Sequence, residues 1–277
     1  MIQTRRQSRS PPTAQHAVPL VKKENRYLDH ILAHAERNNP ESIIEETHKF
    51  AIERHWLMNV GPEKSPLIEQ VLLEKRPKVA IEIGCYLGYS AIRFAAYIRD
   101  TLGIRDVKYY SFEISEYNAN IARKVGIVDT LHQLIIDFAG LSHIITVITG
   151  PFNESLERLP SYHNLLGKVD FVLIDHHNEL TSNYWRKAVY STRSVTFSER
   201  CFTIHFPNSH ACYVPNRLSC IQGTTIVADN VINPGAPDYL EYVRSDLTRY
   251  QTRLIEGWLE YYEGVIRDGL EVSVWLK

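Results

Sequence analysis

The chain has 277 residues, 44% of them hydrophobic and 23% charged, with a formal net charge of −1. That composition supports one sizeable core, and the near-neutral balance gives no overall attraction for nucleic acid or anionic membranes. No apolar run approaches the roughly 18–20 residues that a membrane-spanning helix needs, so the body reads as soluble and cytoplasmic.

Residues 1–22 are rich in Arg, Ser, Pro and Gln and lack the apolar stretch of a secretory signal. Arg5, Arg6 and Arg9 leave an organellar transit peptide open, but a disordered tail is the preferred expectation. Residues 23–277 are expected to form a single domain. The cysteines Cys85, Cys201, Cys212 and Cys220 form no Cys-x-x-Cys pair, which suits a reducing compartment better than a disulfide framework.

In chain order, residues 27–35, 41–54 and 66–73 have the apolar spacing of amphipathic helices, and Ser42 with Glu45 has capping-box spacing at the start of the second. Runs rich in β-branched residues follow at 79–83, 107–112, 144–148, 169–174 and 224–228, and each reads as a strand. Helical spacing at 89–98 and 115–125, and a short helix at 155–159, separate them. Residues 269–276 alternate apolar and polar side chains, as a last strand would. Strands alternating with helices imply an α/β domain, its mainly parallel sheet covered on both faces.

The first strand runs into Glu82-Ile83-Gly84-Cys85-Tyr86-Leu87-Gly88-Tyr89-Ser90. In an open parallel sheet, ligands bind beyond the carboxyl ends of the strands. A loop that cradles a diphosphate has no use for a carboxylate, whereas S-adenosylmethionine carries two cationic groups and no phosphate. Glu82 therefore favours that cofactor over a dinucleotide, and Glu113, ending the second strand, has the position of a ribose-binding acid. Ordinary strand-end acids are the plainer alternative.

Two further strands end in Asp175 and in Asp229-Asn230. Neighbouring strand ends would unite two carboxylates and an amide, an all-oxygen set suited to Mg²⁺. The same acids could instead cap helices at strand–helix turns, and spacing alone does not choose.

Several stretches resemble the catechol O-methyltransferase family: Trp56-Leu57-Met58-Asn59-Val60-Gly61, the 82–90 loop, Asp175-His176, Asp229-Asn230-Val231-Ile232-Asn233-Pro234-Gly235, Trp258-Leu259-Glu260-Tyr261 and Asp268-Gly269-Leu270-Glu271. They occur in the family's order across about 25–178 and 223–275. The resemblance implies a Rossmann-like class I methyltransferase with a seven-stranded sheet, transferring methyl from S-adenosylmethionine to one hydroxyl of a catechol or related phenol with Mg²⁺. It implies that Val60, Glu82, Gly84, Tyr86, Ser90, Glu113, Ile114, Asn153, Asp175 and His176 line the cofactor. Asp175, Asp229 and Asn230 would hold the metal. Trp56, Asn178, Asn230, Pro234 and Glu260 would meet the substrate, Glu260 taking the hydroxyl that is not methylated. The implied partner is a small molecule, with neither nucleic acid nor membrane, and the protein is expected to be a monomer.

The chain departs from the family at the lysine expected three residues after the first metal aspartate, where it has Asn178. Asn178 cannot accept a proton as a base. His177, replacing an aromatic residue of the substrate wall, is the candidate substitute, with a solvent-facing histidine as the alternative. A different acceptor, or a catalytically impaired cofactor-binding protein, are the rival functions.

Insertions are expected near 125–134 and 189–222. The second contains Cys201, His205, His210, Cys212 and Cys220 without a strong zinc-site spacing, and reads as a surface loop, as disorder, or as translated intron.

Overall fold

Strand β1 (Val79–Ile83) carries little except apolar residues because it is central. A strand flanked on both sides and covered on both faces has only buried positions to fill. The computed structural model describes residues 23–113, 131–150, 167–175, 221–262 and 264–277, the single positions 152, 155 and 165, and the dipeptides 203–204 and 212–213.

β1 pairs in parallel with β2 (Lys108–Glu113) and β4 (Phe171–Ile174), and β2 with β3 (Ile145–Thr149). Strands Thr203–Ile204 and Cys212–Tyr213, β5 and β6, form a separate antiparallel ribbon. β7 (Thr225–Ala228) continues the main sheet beside β4, and β9 (Arg267–Trp275) joins β7 antiparallel, with β8 (Tyr250–Trp258) on the edge. The order is β3-β2-β1-β4-β7-β9-β8. The chain moves outward from β1 through β2 to β3, then returns to β4. This reversal opens a crevice between β1 and β4 at the carboxyl ends of the strands.

Side chains alternate between two cores, as the two-residue period of a strand requires. Ala80, Tyr109, Phe171, Leu173 and Val227 face one core. Ile81, Ile83, Tyr110, Phe112, Val172, Ile174, Ile226 and Ala228 face the other. The first core is completed by α1 (Lys23–His34), α2 (Pro40–Glu53), α3 (Gly61–Lys75), α4 (Tyr89–Ala96) and α5 (Leu131–Phe138), and the second by α6 (Pro237–Ser245) through Val243.

Several expectations shift. α1 begins four residues before the expected start, and α3 begins at Gly61, ahead of Pro66, which lies inside the helix. The cap of α2 is Asn39, whose side chain accepts from the Ser42 N–H at 3.2 Å, with Pro40 in the first turn. Ser42 does not complete a box; its hydroxyl accepts the Glu36 N–H at 3.0 Å. α6 and β8 were not anticipated. β8 is an edge strand with mostly exposed or half-exposed side chains, so its sequence lacks the apolar run that marked the others. Inside the second expected insertion, β5 and β6 add paired structure where a loop or disorder was expected. The helices expected at 115–125 and 155–159 fall largely outside the described residues. No described helix is long and apolar enough to cross a membrane.

Candidate active site

Glu82 pairs with Ser111 across β1 and β2, on the same face as Ala80 and Tyr109. It is fully buried, and its Oε2 accepts the Ser111 hydroxyl at 2.5 Å. Among the described residues its Oε1 is buried with no well-formed hydrogen bond, though the Ser90 and Tyr109 hydroxyls work on the carboxyl against burial. Burial pushes the carboxyl up to about 7. A buried acceptor left unsatisfied costs roughly 1–3 kcal/mol. A cationic N–H donor would relieve that penalty and draw the group back to its ionised form.

The turn after β1 is shaped around the same point. Gly84 and Cys85 donate their N–H groups to the Phe112 carbonyl at 2.9 and 3.1 Å. Gly84 and Tyr86 take positive φ, 109° and 45°. This sends the Tyr86 N–H to Glu113 Oε2 at 2.8 Å, fixing the acid that ends β2. The Tyr86 hydroxyl donates to Glu24 on α1, and Lys23 lies 5.7 Å over the Trp56 ring and 5.8 Å over that of Tyr86. Val60 and Ser90 are buried beside the turn's two helices, at the starts of α3 and α4.

The second cluster lies past β4 and β7. Asp175 N–H donates to the Ile83 carbonyl and Asp229 N–H to that of Ile174, both at 2.9 Å, so the two acids cap neighbouring strands. Asp229 Oδ1 accepts both the Lys64 ammonium and the Asn230 N–H at 2.6 Å. Asn230 stands in the left-handed region at φ 57°, a conformation asparagine tolerates well. Its Nδ2 donates to Asp268 at 2.8 Å. The helix-cap alternative fails for Asp229, because the turn that follows is entered through Asn230 with no side-chain cap.

Lys64 is entirely buried, 2.7 Å from Asp268 and 3.6 Å from Glu260. The Glu260 carboxyl is pushed up to about 7, chiefly by burial and against the pull of Lys64. The start of α3 is fastened to this end of β8. Glu63 accepts the Tyr261 N–H and Asn59 the Tyr261 hydroxyl, each at 3.0 Å. A Cβ on Gly61 would meet Glu260 Cβ at 2.3 Å, so only glycine lets the two backbones lie this close.

The charge arithmetic is unbalanced. Asp175, Asp229, Glu260 and Asp268 surround one ammonium. Asp175 is raised well above the usual carboxylate range, first by burial and then by the charge of Asp229. Asp229 is raised by burial as well, with Lys64 holding it back. Among the described residues no group of three or more His, Cys, Asp or Glu has metal-holding geometry. The expected set differs in kind: two carboxylates and an amide. Among the described residues, the hydrogen bonds that hold Asp229 and Asn230 engage Oδ1 of the first and Nδ2 of the second, and leave Asp229 Oδ2 and Asn230 Oδ1 out. Oxygens of three side chains on adjacent strand ends, short of positive charge, fit a hard divalent cation.

Trp56 is partly exposed, and Pro234 follows a cis peptide bond in the turn Val231–Gly235. Ile114, Asn153, His176, His177 and Asn178 lie outside the described residues, as do Cys201, His205, His210 and Cys220. Sequence reasoning passed over Lys64 and gave Asp268 no role. A signal existed for the first: Lys64 stands on the buried stripe Gly61, Lys64, Ser65, Ile68, Leu72 of α3, where a charge needs partners.

A family model described as a methyltransferase domain matches residues 81–193. The chain is 30% identical to catechol O-methyltransferase of Bos taurus, over 91% of this chain and 76% of that protein. It is 30% identical to catechol O-methyltransferase B of Danio rerio, over 91% and 78%. Among solved structures, the O-methyltransferase TomG from Streptomyces achromogenes superposes with a TM-score of 0.53 at 14% identity, covering 93% of this chain and all (100%) of that one. With this fold and this agreement along most of both sequences, the chain belongs to the catechol O-methyltransferase family.

Proposed function

We propose that the protein transfers the methyl group of S-adenosylmethionine to one hydroxyl of a catechol-type acceptor, with Mg²⁺ as the resident metal. The observation that carries this reading is the pairing of two differently built acid clusters across one crevice. Glu82 and Glu113 close the β1–β2 end, and Asp175, Asp229 and Asn230 close the β4–β7 end.

On this reading Glu82 Oε1 accepts from the cofactor's ammonium, and Glu113 takes a ribose hydroxyl with its carboxylate steadied by the Tyr86 N–H. Asp175, Asp229 Oδ2 and Asn230 Oδ1 would hold Mg²⁺, whose chemistry is to stabilise the ionised catechol oxygens and so lower their pKa. Glu260, with its carboxyl near 7, is poised to hydrogen-bond the hydroxyl that keeps its proton. Trp56 and Pro234 form part of the ring's wall. The site then mainly has to hold oxygen, methyl carbon and sulfur in line. His177 serves as the base in place of the family's lysine.

Methyl transfer from labelled S-adenosylmethionine to catechol, with Mg²⁺ and then with a chelator, tests the proposal. Transfer that chelation abolishes supports it. Transfer indifferent to chelation removes the metal role. A second reading, an impaired protein that keeps only cofactor affinity, is favoured by Asn178. It predicts cofactor binding without transfer, and recovery of transfer in Asn178→Lys.

A further inference from the structure

The carboxylate of Asp268 is wholly buried in β9, and it accepts three hydrogen bonds. Oδ2 accepts from Lys64 Nζ at 2.7 Å and from Asn230 Nδ2 at 2.8 Å, and Oδ1 from the Asn233 N–H at 3.0 Å. One side chain thus ties together α3, the residue next to Asp229, and the turn that carries Pro234. The orientation of the Asn230 amide follows from chemistry. Only its NH₂ can donate to a carboxylate, so the carbonyl oxygen is the end left free. Were Asp268 absent, the two ends of the amide would be nearly equivalent, and half of the rotamers would present N–H groups to a cation.

We infer that Asp268 is a positioning residue that selects the metal-binding face of Asn230 and, through the Asn233 N–H, fixes the Pro234 turn relative to it. This rests on the metal reading above. Lys64 has a supporting part. It neutralises Asp268 in a fully buried setting and occupies only Oδ1 of Asp229, so the other oxygen stays available. A buried carboxylate in this place is tolerable because it is matched by one full charge and two further donors.

The experiment measures Mn²⁺ binding by electron paramagnetic resonance, Mn²⁺ standing in for Mg²⁺, in wild type, Asp268→Asn, Asn230→Ala and the double variant. Partners of metal ligands commonly govern affinity by about 10–100-fold. Asp268→Asn should lose affinity by that factor while keeping the wild-type affinity for S-adenosylmethionine, since Glu82 and Glu113 stand at other strand ends. Transfer by this variant should recover at high metal, the deficit lying in the metal requirement rather than in kcat. In the Asn230→Ala background, Asp268→Asn should add less than about twofold, because residues acting through one another are not additive. Wild-type Mn²⁺ affinity in Asp268→Asn, or an undiminished effect in the Asn230→Ala background, would overturn the inference alone. A wild-type protein that binds no Mn²⁺ would overturn the metal reading and this inference with it.

A second measurement needs no stable variant and no metal. In wild-type protein labelled with ¹⁵N-asparagine, the Asn230 side-chain amide should exchange slowly with solvent and resonate apart from exposed asparagines. Fast exchange at that amide would also overturn the assignment.

Discussion

Gly61 and Glu260 show how narrow the margins of the site are at single residues. Alanine at 61 would place a methyl 2.3 Å from Glu260 Cβ at a backbone φ of 67°. Gly61→Ala should therefore cost about 1–3 kcal/mol of stability, read by chemical denaturation, and raise the KM for the acceptor by moving Glu260. Glu82 gives a prediction in pH. Its carboxyl sits at about 7 in the fold against an ordinary 4.5. An acid raised in this way holds its proton in the folded state, so its contribution to stability is full at low pH and is lost as pH climbs from about 4.5 through about 7. A cationic cofactor prefers the ionised form, so its affinity should rise over the same window and level off above it. Glu82→Gln should flatten that profile and weaken binding at pH 8 by roughly 10–100-fold, the worth of a charge-assisted hydrogen bond. Calorimetric titration of both proteins from pH 5.5 to 8.5 checks the slope. The residues that carry these effects were differently visible beforehand. Glu82 announced itself as an acid where a phosphate site would have none. For Lys64 the sequence offers only its place on the apolar stripe of α3, because the acids that surround it, Asp229, Glu260 and Asp268, lie far along the chain.

At the scale of elements, hydrophobic period did most of the work. β1, β2, β4 and β7 are short and almost wholly buried, so their apolar runs were plain. β8 escaped notice because Tyr250–Trp258 mixes charged and apolar side chains on an edge strand, and its identity comes from pairing with β9. The start of α2 departs from its sequence pattern for a different reason. Ser42 and Glu45 have the right spacing, yet Asn39 lies just before Pro40 and captures the Ser42 N–H first. Asparagine is among the best N-cap residues, and proline suits the first turn. Asn39→Ala should lower the stability of the protein by about 1 kcal/mol, whereas Glu45→Ala should change it by less than about 0.5 kcal/mol, the usual scale of a surface substitution. Thermal melts of the two variants separate the alternatives, and equal losses would restore the box.

For the whole molecule, the sheet order divides the labour between the two sides of the β1–β4 crevice. The β1–β2 side needs only local sequence to be recognised, since strand, glycine turn and helix run consecutively. The β4–β7–β9–β8 side is assembled from distant segments, and of its antiparallel end only β9 shows in the local pattern, through the alternation of residues 269–276. This division makes the two binding events separable. Asp229→Ala should retain S-adenosylmethionine affinity within about threefold, since Asp229 is not among the side chains assigned to the cofactor, and lose methyl transfer by about two orders of magnitude, on the scale seen when a metal's orienting shell is lost. Loss of cofactor binding in that variant, measured by calorimetry on folded protein, would contradict the division.

The lysine at the centre of the acid cluster also says something about the order of assembly. Lys64 is separated by 165 positions from Asp229 and by 204 from Asp268. Helix α3 can form from its own neighbours within moments, but contacts of such long range are among the slowest that a chain makes. Until β7 and β9 arrive, that ammonium has to stay hydrated, so the face of α3 that bears it cannot seal against the sheet. The core's closing step and the completion of the acid cluster are therefore one event, and the molecule becomes dry there only when Lys64 gains its carboxylate partners.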